Sequence, residues 1–244
     1  MSAPGLREAV EGNTLRWTLD NPRRRNAVHP DALRWITARC ASLRGETVVL
    51  RGEGDEAFCA GFDLTALRPT ADGPAPDVPL AEAAAAMESA DATFVAAFNG
   101  FAIGAGVELA CACDLRIASD DAWFAIPAAK LGVVYHAAGL QRLRAVLGDA
   151  VLSRLLLLGE RVGADALAEA GALTHVVAPA SLQATVDTTV AAIEAGSALS
   201  LRAHRAFFRA LKHGVAGSDL LARHEDARAQ AYAAIREARS DESS

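Results

Sequence analysis

The chain has 244 residues, of which 52% are hydrophobic and 22% are charged, and it carries a formal net charge of −6. A chain of this length buries a core without disulfides or metals, and its apolar content excludes a disordered polymer. The negative charge argues against a nucleic-acid or anionic-membrane surface as the main partner. No apolar run approaches the roughly 18 residues of a membrane span, and residues 1–12 lack a signal pattern. We therefore expect a cytoplasmic protein that binds neither nucleic acid nor membrane.

Strands, turns and helices alternate along the chain up to about residue 178. Alternating or continuous apolar residues predict strands at residues 15–19, 47–50, 93–98, 114–118, 122–125 and 174–177. Helical periodicity predicts a helix from Pro30 to a stop at Gly45, another over residues 80–90, and helix through most of the chain after Gly139. A turn-rich loop is predicted at residues 52–61 and a flexible proline-rich segment at 69–79. This order predicts an α/β fold with a mainly parallel sheet and helices appended at the end.

The positions of cysteine and histidine do not indicate a metal site. The four cysteines contain no CxxC pair, and the six histidines are scattered without metal-ligand spacing. We predict that Cys40, Cys59, Cys111 and Cys113 are buried free thiols in a reducing compartment.

Two turns rich in small residues are candidate ligand sites. Residues 57–64 follow a predicted strand and contain Gly61, and a second turn with Gly104 and Gly106 introduces a helix. Small residues let main-chain N–H groups approach a ligand, and a helix N-terminus presents N–H donors with partial positive charge. Two such donors aimed at one point form an oxyanion hole. Each segment is equally consistent with an ordinary tight turn.

Glu108 lies in the first turn of the helix that follows Gly104. One interpretation is a carboxylate that stabilises the helix dipole. However, its neighbours Val107 and Leu109 indicate a buried helix, and a buried carboxylate is costly unless it is paired, protonated or catalytic. The alternative interpretation is a general acid/base with a raised pKa.

Two further features have more than one interpretation. Gly104 and Gly106 match part of a dinucleotide-binding GxGxxG turn, but Leu109 replaces the third glycine and is too bulky for close packing. Residues 23–25 are three consecutive arginines. They form either a solvated turn or a contact for the phosphates of an anionic ligand.

Six segments, taken in order, resemble the enoyl-CoA hydratase/isomerase (crotonase) family. They are NPRRRNA at 21–27, AFCAGFDL at 57–64, the stretch 99–118, residues 130–143, LGERV at 158–162 and residues 164–179. One such motif is weak evidence, whereas six in register across residues 10–210 are specific. The resemblance implies a spiral of ββα turns over residues 1–194, followed by a C-terminal helical region at 195–244 that serves oligomerisation.

The resemblance also implies a ligand, an assembly and a set of site residues. Family members hold a coenzyme A thioester as substrate, without a permanently bound cofactor, and stabilise the enolate formed at its carbonyl. They usually assemble as trimers or as dimers of trimers. By position, the oxyanion donors are the backbone N–H groups of Ala60 and Ala105, and Glu108 is a catalytic acid/base. The residues implied near CoA are Arg25, Ala27, Ala60, Gly61, Phe62, Asp63 and Leu64.

The sequence departs from the two catalytic glutamates of family hydratases. The second glutamate normally follows the proline of a Phe-x-x-Pro-Glu segment, and here Ala128 follows Pro127. Loss of a general acid/base typically costs about 10²–10⁴ in rate, which disfavours efficient hydration. His136 occupies a position from which some family isomerases supply an acidic group. It is either a partner of Glu108 in proton transfer or a wall residue beside Tyr135.

Three functions are consistent with these observations. The first is an acyl-CoA-binding enzyme that isomerises an enoyl-CoA, or hydrates it weakly, with Glu108 moving the proton. The second is a non-catalytic acyl-CoA-binding protein of the same fold that has lost its second acid. The third is a nucleotide-binding α/β protein that uses the turn at Gly104.

Overall fold

The computed structural model describes residues 2–63, 65, 75–212, 214 and 217–241, and their strands form two β-sheets. The strands are β1 (Ser2–Ala3), β2 (Leu6–Glu11), β3 (Thr14–Leu19), β4 (Glu46–Gly52), β5 (Ala57–Cys59), β6 (Ala92–Phe98), β7 (Phe101–Ile103), β8 (Leu115–Ser119), β9 (Trp123–Ala125), β10 (Val162–Gly163) and β11 (His175–Val177). The large sheet has the order β1-β2-β3-β4-β6-β8-β11, and the small sheet has the order β10-β9-β7-β5.

Most strand pairs are parallel, as the sequence predicts. In the large sheet β1, β2 and β3 pair antiparallel, whereas β3, β4, β6, β8 and β11 are parallel neighbours. In the small sheet β5, β7 and β9 are parallel, and β10 pairs antiparallel with β9. From β4 to β9 the chain alternates between the two sheets, so it advances as a spiral with one strand in each sheet per turn.

A helix follows each pair of strands in the spiral. The helices are α1 (Pro30–Cys40), α2 (Val78–Ser89), α3 (Ala105–Cys111), α4 (Ala128–Leu131), α5 (Ala137–Ser153), α6 (Ala164–Glu169), α7 (Leu182–Glu194), α8 (Ala198–Lys212) and α9 (Ser218–Asp241). Thus α2 follows β4 and β5, α3 follows β6 and β7, and α4 and α5 follow β8 and β9. This arrangement confirms the predicted ββα spiral with a helical C-terminal region.

Aromatic side chains from successive turns fill the space between the sheets. Phe58, Phe98 and Phe124 lie in a row, with ring centroids 4.7 Å and 4.8 Å apart. On the other face of the large sheet, Val186 and Val190 of α7 belong to a second apolar cluster with the buried strand residues. Both faces of the parallel strands are therefore covered, which explains why their sequences are nearly continuous apolar runs.

Four element assignments made from the sequence are wrong in detail. β5 lies in the segment predicted to be a loop, and β7 lies in the glycine-rich stretch before Gly104. β10 interrupts the region predicted to be helical, because Val162 pairs with Phe124. α1 ends at Cys40 rather than near Gly45, and the buried Leu43 lies in the turn beyond it. Strands of two or three residues are too short to display a period.

The C-terminal helices are less deeply packed than the spiral. α7 ends at Glu194, and α8 has no fully buried residue. The division of the chain at residues 194/195 stays a prediction. Arg205 attaches α8 to the spiral by donating from Nε to Asp114 Oδ2 at 2.5 Å. The oligomerisation role of residues 195–244 stays a prediction. Within the described ranges, the helices are all too short or too polar to cross a membrane.

Candidate active site

The two small-residue turns lie against each other. Gly106, in the first turn of α3, packs on β5, because a Cβ added to it would stand 2.6 Å from the Cβ of Cys59. Gly61 has a φ of +105°, and an added Cβ would stand 3.2 Å from the carbonyl oxygen of Ile103 at the end of β7. Because β5 and β7 are paired, the two turns that follow them lie side by side. The absence of a side chain at Gly61 and Gly106 permits the two turns to approach this closely.

The turn after β5 is also hydrogen-bonded to the arginine-rich segment. The amide of Val28 donates to the carbonyl oxygen of Gly61 (2.8 Å), and the amide of Asp63 donates to that of Val28 (2.9 Å). The amide of Ala60 donates to the carbonyl oxygen of Arg25 at 2.9 Å. Segments 25–28 and 60–63, which contain most of the residues implied near CoA, are thus neighbours. The Ala60 N–H, implied as an oxyanion donor, is occupied by Arg25 in this structure.

A strained turn holds the Arg25 carbonyl in place. Arg25 and Asn26 have φ angles of +50° and +60°, a left-handed conformation that is uncommon for residues other than glycine. The buried Asn26 amide donates to the carbonyl oxygens of Glu53 (2.9 Å) and Ala57 (2.7 Å). Asn26 therefore fastens the turn to the start of β5. Such strain persists only where the surroundings enforce it, and it is common at ligand sites.

Two of the three consecutive arginines form ion pairs at the surface. Nη1 of Arg24 lies 3.5 Å from Oδ1 of Asp63, and Nε of Arg25 donates to Oε1 of Glu56 at 2.9 Å. Burial alone raises the pKa of the Asp63 carboxyl, but hydrogen bonds from Thr65 and the Arg24 charge lower it below its ordinary value. The Arg25–Glu56 pair is exposed on both sides and is therefore weak, whereas the Asp63 carboxylate of the other pair is buried. Leu64, the remaining residue implied near CoA, lies outside the described residues.

Glu108 is fully buried, as the apolar neighbours predict. Every residue of α3 is buried, and the Glu108 side chain has 0% exposure. Its Oε1 accepts a hydrogen bond from Nη1 of Arg142 at 2.9 Å, while Oε2 has no hydrogen-bond partner among the described residues. Burial raises the pKa of Glu108, and the nearby His136 and Arg142 reduce that rise without cancelling it. The carboxylate therefore fits a buried acid/base better than a surface group that stabilises a helix dipole.

Arg142 and Glu88 are site residues that the sequence reasoning missed. Arg142, in α5, donates from Nη2 to Oε2 of Glu88 in α2 at 2.9 Å, and its side chain is 3% exposed. One signal was available in the sequence. Arg142 lies between the buried residues Gly139 and Leu143, so helical periodicity puts it on the face of α5 that is buried.

His136 is brought next to Glu108. Its Nε2 lies 3.0 Å from Oε1 of Glu108, but Nε2 makes no hydrogen bond of good geometry in the described part of the chain. Its Nδ1 accepts the amide N–H of Gly139 at 3.0 Å and so caps the N-terminus of α5. A Cβ added to Gly139 would stand 2.8 Å from His136 Nε2 and 2.9 Å from Glu108 Oε1, so both side chains would have to shift to admit it.

Tyr135 and Ala128 flank the same region. The Tyr135 ring stacks on His136, and its hydroxyl lies 3.5 Å from the position of a Cβ added to Gly104. Burial and the nearby Glu108 carboxylate raise the pKa of Tyr135, so its hydroxyl stays protonated. Ala128 is buried at the start of α4, three residues after Ala125, whose carbonyl oxygen accepts the amide N–H of Gly104 at 2.9 Å.

The cysteines are buried free thiols, as predicted. Burial raises the pKa of Cys40 and of Cys59 to about 12, and buried thiols of this kind are unreactive. No group of three or more histidine, cysteine, aspartate or glutamate side chains is placed to hold a metal ion within the described ranges.

Comparison with known proteins agrees with the fold and the motifs. The model of the enoyl-CoA hydratase/isomerase family matches residues 10–242. YngF of Bacillus subtilis is 34% identical over 191 residues, which cover 76% of this chain and 74% of YngF. Carnitinyl-CoA dehydratase of Escherichia coli K12 is 34% identical over 179 residues, which cover 70% of this chain and 67% of the dehydratase.

Solved structures share the architecture. A Thermobifida fusca YX protein in complex with CoA superposes with a TM-score of 0.81 at 31% identity, covering 96% of this chain and 95% of its own. A complex with acetoacetyl-CoA from the same organism gives a TM-score of 0.80 at 31% identity, covering 95% of each chain. The chain belongs to the enoyl-CoA hydratase/isomerase family and has the crotonase fold. Family membership disfavours the dinucleotide-binding interpretation of Gly104 and Gly106.

Proposed function

We propose that the protein binds an enoyl-CoA and moves its double bond through a thioester enolate, with Glu108 as the acid/base. One observation carries the proposal: the buried Glu108 carboxylate binds Arg142 through Oε1 and has no hydrogen-bond partner for Oε2 among the described residues. The ligand class is supported by the related structures that hold CoA and acetoacetyl-CoA. No permanently bound cofactor enters the proposal.

The proposed chemistry needs only one proton-transferring group. In a 3-enoyl-CoA, Oε2 of Glu108 takes a proton from C2, and the electron pair of the broken C–H bond becomes a dienolate whose negative charge rests on the thioester oxygen. The same carboxyl returns the proton to C4, and the double bond then lies between C2 and C3. The raised pKa of Glu108 makes it a stronger base than an exposed carboxylate and brings its pKa closer to the working pH.

Backbone amides are proposed to hold the enolate oxygen. Ala105 is the first residue of α3, and the first N–H groups of a helix have no acceptor within that helix. Ala60 is the second proposed donor. Its N–H already donates to the Arg25 carbonyl, which the Asn26 contacts hold in place, so it would reach the thioester oxygen as a bifurcated donor and contribute less than Ala105. Removal of one oxyanion donor typically costs about 10²–10³ in rate.

Isomerisation is favoured over hydration because a second proton donor is missing. Ala128 replaces the expected carboxylate. His136 does not substitute for it, because its Nδ1 already accepts the Gly139 N–H and is not free to take up a transferred proton. We therefore expect hydration to be weak.

The CoA moiety is proposed to run along the paired segments 25–28 and 60–63. Arg25, Ala27, Phe62 and Asp63 belong to these segments, and Leu64 continues the second one. Arg25 can exchange the exposed Glu56 for phosphate oxygens at little cost, and the half-exposed Arg24 guanidinium lies close enough to contribute a second positive charge. Gly61 has no side chain, so it leaves room for CoA beside the two segments.

A homotrimer, or a dimer of trimers, is proposed for the assembly. A cytoplasmic location is proposed separately, because free thiols such as the four cysteines persist in a reducing compartment. Lys130 joins α4 to the turn at Gly159 by donating from Nζ to the Gly159 carbonyl oxygen at 2.8 Å. Five large apolar side chains next to this contact are exposed, namely Leu131, Val133, Val134, Leu157 and Leu158. Exposed patches of this kind mark protein interfaces. Light scattering tests the proposal, and Val134→Glu with Leu158→Glu should yield monomers.

A non-catalytic acyl-CoA-binding protein is the second candidate. The observation in its favour is the absence of a carboxylate at Ala128, together with the partial neutralisation of Glu108 by Arg142. In that case the fold and the CoA path serve binding alone.

Turnover and binding measurements separate the two candidates. Crotonyl-CoA and a 3-enoyl-CoA are offered to the wild type, to Glu108→Gln and to the exposed control Glu82→Gln. The enzyme proposal expects conversion of the 3-enoyl-CoA by wild type and Glu82→Gln, with Glu108→Gln reduced by at least 100-fold. Thermal stabilisation by both thioesters without turnover supports the binding protein. Stabilisation by NAD but by neither thioester contradicts both.

A further inference from the structure

Arg142 joins two carboxylates in the interior of the protein. Its Nη1 donates to Oε1 of Glu108 and its Nη2 donates to Oε2 of Glu88, both at 2.9 Å. The side chains are 3%, 0% and 14% exposed for Arg142, Glu108 and Glu88. The three residues come from α5, α3 and α2, so the guanidinium ties together the three helices that surround the site.

The two oxygens of Glu108 are made unequal by this contact. Oε1 is occupied by Arg142 and lies beside His136, whereas Oε2 has no hydrogen-bond partner among the described residues. An unconstrained carboxylate would interchange its oxygens by rotating about its last bond. A planar guanidinium that is also bound to Glu88 favours one orientation of the Glu108 carboxylate, because the direction of the Nη1–H donor is then fixed.

The contact also sets the charge balance around Glu108. Glu108 and Glu88 bring two negative charges, and Arg142 contributes one positive charge. The other titratable groups that face Glu108 are His136 and Tyr135 before α5, Asp77 before α2, and Cys111 on α3 itself. Arg209 and Lys212 of α8 also face Glu88, but Arg142 is the cation that donates a hydrogen bond to Glu108, so without it Glu108 would hold its proton to a higher pH.

We propose that Arg142, anchored by Glu88, is the positioning residue that presents Oε2 of Glu108 as the reacting oxygen and keeps this carboxylate available as a base. The inference rests on the proposed function of the site. Arg142 itself touches neither the substrate nor the transferred proton. Lysine cannot replace it, since a single ammonium group does not span two carboxylates in a fixed plane.

The test measures the ionisation of Glu108 directly, without substrate. Infrared difference spectra of the full chain are recorded against pH, and Glu108→Gln identifies the Glu108 carboxyl band. The variants are Arg142→Met, which removes the charge, and Arg142→Lys, which keeps the charge and loses the fork. Arg205→Met is the matched control, because Arg205 is also a largely buried arginine that donates to a carboxylate, Asp114. Turnover of a 3-enoyl-CoA is measured for the same set of proteins.

The expected result is a rise of at least one pH unit in the ionisation midpoint of Glu108 in Arg142→Met, with no shift in Arg205→Met. In Arg142→Lys the midpoint should stay closer to the wild type while kcat falls at least tenfold and KM changes little. An unchanged midpoint in Arg142→Met overturns the proposal, as does full activity in Arg142→Lys. A shifted midpoint in a protein that turns over no thioester supports the role of Arg142 and counts against the proposed function alone.

Discussion

The imidazole of His136 links the site to the start of a helix, with Nε2 3.0 Å from Oε1 of Glu108. The other ring nitrogen, Nδ1, accepts the amide N–H that needs capping at the N-terminus of α5. A proton added to Nδ1 would place two donors against each other and remove the cap. The sequence offered two roles for His136, a partner in proton transfer or a wall residue. The contacts show a neighbour of Glu108 that also caps α5, and a role of His136 in proton transfer stays a prediction.

Replacement of His136 should separate the cap from the contact with Glu108. Asparagine is a good N-cap residue, so His136→Asn should stay within about 0.5 kcal/mol of the wild type, whereas His136→Ala should lose about 1 kcal/mol. Both variants lose the Nε2 atom that lies 3.0 Å from Oε1 of Glu108, and we expect isomerisation to fall about tenfold in each, which corresponds to about 1.4 kcal/mol of transition-state stabilisation. Chemical denaturation and kinetics measure the two effects. Equal stability of the two variants would contradict the cap.

A methyl group at Gly139 should disturb both neighbours at once. The added Cβ of Gly139→Ala would lie within 3 Å of His136 Nε2 and of Glu108 Oε1. Overpacking of this kind typically costs about 1–3 kcal/mol, and displacement of Glu108 should also lower isomerisation. Ala138→Ser, at the exposed position beside it, serves as the control. Wild-type activity and stability in Gly139→Ala would show that His136 and Glu108 do not need their present positions.

Ala128→Glu tests whether only the second carboxylate separates this chain from a hydratase. Ala128 is buried close to the Gly104 turn, whereas Ala129 is exposed. We expect Ala128→Glu to increase the hydration of crotonyl-CoA by at least tenfold, since a general acid/base contributes about 10²–10⁴. Ala129→Glu should give no increase. No gain in Ala128→Glu, in a folded protein, would indicate a pocket shaped against hydration.

The buried Glu108 should make stability fall as pH rises. Its pKa in the folded chain is raised by burial, so between its unfolded pKa of about 4.3 and that higher value the folded state binds more protons than the unfolded state. Deprotonation through this window therefore costs stability in the wild type and not in Glu108→Gln. The difference in Tm, variant minus wild type, should grow with pH across the window. A difference that is independent of pH would argue against the raised pKa. A repeat in the His136→Asn background excludes a contribution from His136.

Several strands of the fold and the burial of Glu108 could be predicted from the sequence. Regular apolar patterns located β4, β6 and β8, and the apolar neighbours of Glu108 predicted its burial. The short strands β5, β7 and β10 were missed because pairing across the small sheet, rather than local pattern, defines them.

Partners that lie far apart in the chain could not be predicted. Glu88 and Arg142 are 54 residues apart, and nothing local to Glu88 indicates a buried pair. The hydrogen bond from the Ala60 amide to the Arg25 carbonyl could not be predicted either. It joins main-chain atoms of two separate turns, and such a contact does not depend on the types of the side chains. The sequence therefore indicated Ala60 as a candidate donor, but its acceptor, the Arg25 carbonyl, is known only from the structure.

Hydrogen exchange at the acyl chain tests the central claim most directly. The protein is incubated in D₂O with a saturated acyl-CoA, which forms an enolate but cannot isomerise, and deuterium at C2 is followed by NMR or mass spectrometry. The account predicts deuterium incorporation by the wild type that falls by at least 100-fold in Glu108→Gln, while both proteins are stabilised equally by the thioester. Exchange at the same rate in the two proteins would contradict Glu108 as the base.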